Sequence, residues 1–165
     1  MTSSVPTHEG GGDVRSARMG GGELKAMRER LSLTVPALAE LLDVSEGTVK
    51  NWEKSKYTPP AGVAAEINRL EDYTRRCAEA VTQAAQASAQ PMGLIWRLTH
   101  DMPPGPARTL GAPWWRSVAT RSRETIPGLI IGYADELDRL TGARERTLSR
   151  AITPDILLSP TTTHA

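Results

Sequence analysis

The chain has no phenylalanine, a single cysteine at Cys77, and no lysine beyond Lys56. Without Phe, an apolar core must rest on Leu, Ile, Val, Ala and four Trp. One cysteine excludes an internal disulfide and a multi-cysteine zinc site. On a helical stretch it reads as a small apolar filler rather than a reactive thiol. No apolar run approaches the ~20 residues of a membrane span. Nothing resembles a signal peptide, because Met1 to Gly22 is polar and Gly-rich. A cytoplasmic, nucleoid-associated protein with no membrane partner is the expectation. At 165 residues the chain suffices for one ordinary domain or two small ones, not a large enzyme.

Catalytic signals are equally sparse. The histidines, His8, His100 and His164, are scattered, and His100-Asp101 has no partner nucleophile. No phosphate-binding loop or metal-ligand spacing occurs. Neither an enzyme nor a cofactor or metal requirement is expected. Net charge is +1, so no global basic field announces nucleic acid. The distribution says more: Lys25, Lys50, Lys54 and Lys56 all lie in the first third, and beyond Ala61 every basic side chain except histidine is arginine.

Met1 to Gly22, with two GGG runs, reads as a disordered arm whose Arg15 and Arg18 are either solvated or aimed at a DNA minor groove. Met19 reads as an alternative start, which would make the arm dispensable. Helix signals follow. Leu24, Met27 and Leu31 share one face of a helix over Glu23 to Leu31. Thr34 caps a second helix with Pro36 in its first turn and Leu38, Ala39, Leu41 and Leu42 facing inward. Asp43 takes the turn, Val44 plugs inward, and Ser45 caps a third helix with Glu46 in its first turn. On that helix Val49 and Trp52 face the core, while Thr48, Lys50, Asn51 and Lys54 face away.

After a loop at Tyr57 to Pro60, a long helix runs to about Ala89. Val63, Ile67, Leu70, Thr74, Cys77, Val81 and Ala84 form a heptad seam with poor knobs at Thr74, Cys77 and Ala84. It suits packing on its own domain at the start and on a second subunit further along. Beyond Pro91, Leu94 to Thr99 alternates like a half-buried strand, closed by His100 and Asp101. Trp114 to Thr125 is a helix started by Pro113, and Leu129 to Tyr133 is a second strand or the start of the next helix. Asp135 to Ala151 is polar and helical, broken at Gly142. Trp96, Trp114 and Trp115 suit a core or a dimer interface better than a ligand cage.

The stretch Leu38 to Glu53 carries the functional direction. Major-groove reading needs a rigid helix presented away from the domain body and braced by a preceding helix that touches phosphates. Ala39 is small where two helices cross, and Asp43-Val44-Ser45 permits a sharp turn. Ser45, Glu46, Gly47, Thr48, Lys50, Asn51 and Lys54 are left for DNA. Asn51 suits a bidentate pair with adenine, Thr48 a base or phosphate. Lys50, Lys54 and Lys56 suit phosphates, as do the backbone N–H groups of Thr34 and Val35.

Residues Glu23 to Leu70 closely resemble the helix-turn-helix domain of Cro/cI-type (XRE-like) repressors, through Leu38-Ala39, Leu41, Val44-Ser45, Thr48-Val49, Trp52-Glu53 and the following Pro. The resemblance implies a four- to five-helix bundle, dimeric, binding double-stranded operator DNA to regulate transcription. Three departures stand out: Val35 replaces a frequent Gln, Asp43 replaces the turn Gly, and the first recognition positions are Glu46, which suits a cytosine amino group, and Gly47.

The reading is a mainly α protein. A disordered arm (1–22) leads to the helix-turn-helix domain (23–72) and a helical connector (73–91). A small α or α+β C-terminal region (92–152) serves dimerisation or a protein partner, and a disordered tail (153–165) ends the chain. A phage- or prophage-type repressor is the leading function. One rival is an antitoxin that sequesters a toxin and autoregulates. Another is a second helix-turn-helix near 136–150, since Glu136 to Leu148 aligns without gaps on the motif, with Gly142 at the turn and Arg144, Arg146 and Arg150 making it basic.

Overall fold

The computed structural model describes residues 18–142 and 150–157. Helix α1 (Gly21–Arg30) is followed by α2 (Val35–Leu41), α3 (Glu46–Glu53) and the long α4 (Ala61–Gln86). Strand β1 (Met92–Leu94), a 3-10 turn at Thr99–Asp101, α5 (Pro106–Leu110) and α6 (Ala112–Thr125) come next. Strand β2 (Ile130–Gly132), α7 (Ala134–Thr141) and a last 3-10 turn at Pro154–Leu157 complete the described residues. The architecture is the expected one: mainly helical, a helix-turn-helix bundle at the N-terminus, and a small α+β region after the long helix.

The short helices are set by local chemistry. Thr34 Oγ1 accepts from the Ala37 N–H (3.2 Å) and Ser45 Oγ from the Thr48 N–H (3.1 Å), each satisfying a donor the helix cannot. Their C-termini repeat one solution. Ser32, Asp43 and Ser55 take φ values of 53°, 53° and 57°, just past α1, α2 and α3. In each case the next N–H reaches back: Leu33 to Arg28 O, Val44 to Ala39 O and Lys56 to Asn51 O. These are Schellman ends built without glycine.

One apolar core runs from Leu24, Leu31 and Leu38 through Val49, Ile67 and Val81 to Trp114, Trp115 and Val118. The α4 seam is buried as predicted at Val63, Ile67, Leu70, Thr74, Cys77 and Val81, ending on Ala85 rather than Ala84. Its cover differs from expectation. Helix α6 of the same chain lies along it, so that stretch of seam is not open to a second subunit. Thr74 is a poor knob because it is a polar joint: its hydroxyl donates to Leu70 O (2.6 Å) and accepts from Trp114 Nε1 (3.0 Å). Tyr73 stacks on the Trp114 ring, centroids 5.8 Å apart.

Three further expectations are corrected, and one helix is added. The predicted strand over Leu94 to Thr99 sits earlier, at Met92–Leu94, and all three residues are buried, without alternation. β1 is central: it pairs in parallel with β2 (Met92 with Ile130, Leu94 with Gly132) and bridges Ile152 through Gly93. Trp115 Nε1 holds its end through Leu94 O (2.8 Å). Trp96, beyond the strand, is half-buried. Helix α5 has no counterpart in the sequence reading. At the ends, residues 1–17, with Arg15, and 158–165 lie outside the described residues. The predicted arm nevertheless stops short of Gly22, since Met19 is 6% exposed and α1 begins at Gly21. The predicted tail begins too early, because Pro154 is buried.

The candidate second motif near 136–150 is half visible. Leu137 is buried and Gly142 takes φ 66° at the end of α7, as a turn residue should. Leu140, aligned on Leu41, is 68% exposed. Residues 143–149, with Arg144 and Arg146, lie outside the described residues.

Candidate nucleic-acid interface

Helix α3 is held from behind. Val49 is fully buried and Trp52 nearly so, both in the core shared with α1 and α4. Gly21 lets α1 approach: a Cβ there would stand 2.0 Å from the Trp52 carbonyl oxygen. At its far end Glu53 receives a two-pronged contact from Arg28 of α1, with Nε 2.5 Å from Oε1 and Nη2 3.1 Å from Oε2. Arg28 Nη1 also donates to Leu33 O (2.9 Å), which ties the α1–α2 turn into the same joint. The hydrogen bond that Arg28 donates to Glu53 raises the Arg28 pKa above its ordinary value. This joint was invisible in the sequence: nothing local links residues 25 apart.

With its back fixed, α3 presents a polar front. Ser45, Glu46, Gly47, Lys50, Lys54 and Lys56 are exposed, and Thr48 and Asn51 half-exposed. Several are already engaged with one another. Ser45 Oγ and Thr48 Oγ1 lie 2.9 Å apart, so both hydroxyls serve the cap. Lys50 Nζ pairs with Glu46 Oε2 at 3.3 Å, one turn along the helix. Around Gly47 only Ser45 Oγ lies near, 3.7 Å from where a Cβ would be, so the front of the helix is open to close approach there.

Beyond α3, Lys54 and Lys56 have no carboxylate partner among the described residues. Lys56 sits over the Tyr57 ring at 5.5 Å, and Tyr57 is 58% exposed. An aromatic face with an adjacent ammonium is an apt backbone contact, and in the sequence Tyr57 carries no signal beyond that of a loop residue. At the bracing helix Thr34 is exposed, while Val35 packs its side chain against the core, so only its backbone is placed to meet a phosphate. Candidate residues from 34 to 56 thus fall into three groups: the α2 start, the α3 front, and the loop that follows α3.

Residues 21–75 match the family model of a helix-turn-helix domain. This segment is a helix-turn-helix domain consistent with an XRE-like regulator, and it contains the whole candidate interface. No curated protein matches the chain.

Proposed function

We propose that the protein is a sequence-specific double-stranded DNA-binding transcriptional regulator, acting as a repressor of the phage or prophage type at the bacterial nucleoid. The observation that supports this reading best is the contrast between the two sides of α3. Val49, Trp52 and Glu53 are locked into the domain, and the opposite side carries only polar or absent side chains. Such a helix gains nothing from burial on its outer face, whereas the major groove offers it donors and acceptors. Lys54 and Lys56 supply the unpaired charge that phosphates attract.

The active unit is a homodimer, whose two α3 helices read half-sites about one helical turn apart. The α4 seam is occupied by α6, so the second copy docks elsewhere. Leu98, Ile130 and Leu140, 54%, 40% and 68% exposed in the C-terminal region, offer apolar area for a second copy or a protein partner. Footprinting across the promoter of the protein's own gene, with the mass of the bound species, tests this. A protected, pseudo-palindromic segment bound by two copies is expected. Protection no better than on unrelated DNA would overturn it.

A further inference from the structure

The front of α3 carries one ion pair whose two side chains both stay open to solvent. Glu46 and Lys50 meet at 3.3 Å, with side chains about half exposed. From the sequence alone Lys50 suits a phosphate. Drawn away to a phosphate, it would leave the Glu46 carboxylate uncompensated beside a polyanion. Kept together, the two are neutral as a unit and carry a donor and an acceptor side by side. Ser45 and Thr48 do not compete, since their hydroxyls bond each other. Gly47, next in sequence to Glu46, adds no side chain to this exposed face.

We propose that Glu46 and Lys50 together read a single G·C base pair in each half-site. The Lys50 ammonium donates to guanine O6 and N7, and the Glu46 carboxylate accepts from the cytosine N4 amino group. This inference rests on the DNA-binding function proposed above. The major-groove edge of G·C runs acceptor, acceptor, donor, the mirror of an ammonium beside a carboxylate. An A·T edge runs acceptor, donor, acceptor and then the thymine methyl. There the carboxylate faces O4 and the methyl, and the ammonium meets an amino group. A pair that answers only one of these edges is a specificity element rather than an affinity element.

The test is selection of the full-length chain on a randomised double-stranded DNA pool, repeated for Glu46→Gln, Glu46→Ala, Lys50→Ala and the double variant Glu46→Ala/Lys50→Ala. The native chain should enrich a half-site with one position fixed as G·C. Glu46→Gln should shift that position, and no other, toward T·A, with adenine in place of the cytosine, because a glutamine amide pairs with adenine N6 and N7. On the native site Lys50→Ala should bind about tenfold more weakly, with the double variant losing no more than that, since the two act as one unit. Glu46→Gln selecting the native half-site unchanged, or strictly additive losses, would overturn the inference while leaving the DNA-binding function intact. A native chain that enriches no sequence would overturn both. The substitutions lie on exposed side chains, and an unchanged thermal melt verifies that each variant is folded.

Discussion

The Arg28 guanidinium forks onto the Glu53 carboxylate and joins the first helix of the domain to the last turn of the third. The two side chains are 12% and 9% exposed, so neither is free to find water if its partner is lost. Arg28→Ala should therefore destabilise the protein by about 3 kcal/mol, the scale for orphaning one member of a buried pair. Glu53→Gln, which keeps an acceptor in place, should cost less. Urea denaturation of both variants checks this; a loss below about 0.5 kcal/mol for Arg28→Ala would show that the pair does not hold α3.

The run Gly20-Gly21-Gly22 separates flexibility from steric need within three residues. A Cβ at Gly21 would collide with the Trp52 carbonyl at 2.0 Å, while Gly20 and Gly22 have nothing within 4 Å. Gly21→Ala should cost about 2 kcal/mol, because α1 must move off α3. Gly22→Ala, inside α1, should stabilise by up to about 1 kcal/mol. Thermal melts of the two variants should move in opposite directions.

That contrast also marks where the sequence was legible. Caps at Thr34 and Ser45, the Asp43 turn and the inward faces of α2 and α3 are local, and each reads correctly from a few adjacent residues. The β1 position is not local. Leu94, Trp96 and Leu98 alternate like a strand, but the strand lies where Ile130–Gly132 and Ile152 meet it, and that pairing reaches some 40 to 60 residues along the chain. The cover on the α4 seam comes from Trp114, Trp115 and Val118, far away in sequence, so the spacing shows a seam but not its partner. At the interface the exposed set was readable from helical period. Its internal pairings, Ser45 with Thr48 and the Arg28 joint behind it, needed coordinates.

At Asp43 the backbone holds φ 53°, a conformation an L-residue adopts at a cost of roughly 1–2 kcal/mol. Asp43→Gly should relieve part of this and raise stability by about 0.5–1 kcal/mol, offset by the greater freedom of the unfolded chain. Asp43 lies outside the DNA-facing set, so affinity should be unchanged. A lower melting temperature would mean that the Asp side chain itself supports the turn.

Burial pushes the Cys77 thiol up from 9.0 to about 11, against smaller opposing pulls from Tyr73 and Arg76. Burial likewise raises the Tyr73 phenol from 10.0 to about 12. Both groups are therefore neutral in the fold at pH values where the unfolded chain has begun to ionise. The linkage fixes the sign: stability should be fully present below pH 9 and fall as pH rises from 9 to 12. Unfolding followed across that range, with thiol labelling by a disulfide reagent, checks both points. At pH 8 Cys77 should label only as fast as the protein unfolds; prompt labelling of the native protein would contradict its burial.

If the outer face of α3 reads base sequence, Asn51, which faces away from the core, probes it best. Binding should be titrated over a range of salt for native protein, Asn51→Ala and Lys54→Ala, on a selected operator and on a scrambled duplex. Asn51→Ala should lose about tenfold or more on the operator and almost nothing on the scrambled sequence, with an unchanged salt slope. Lys54→Ala should weaken both and reduce the slope by about one. Equal losses for Asn51→Ala on the two duplexes, or a native protein that does not distinguish them, would mean that α3 does not read base sequence.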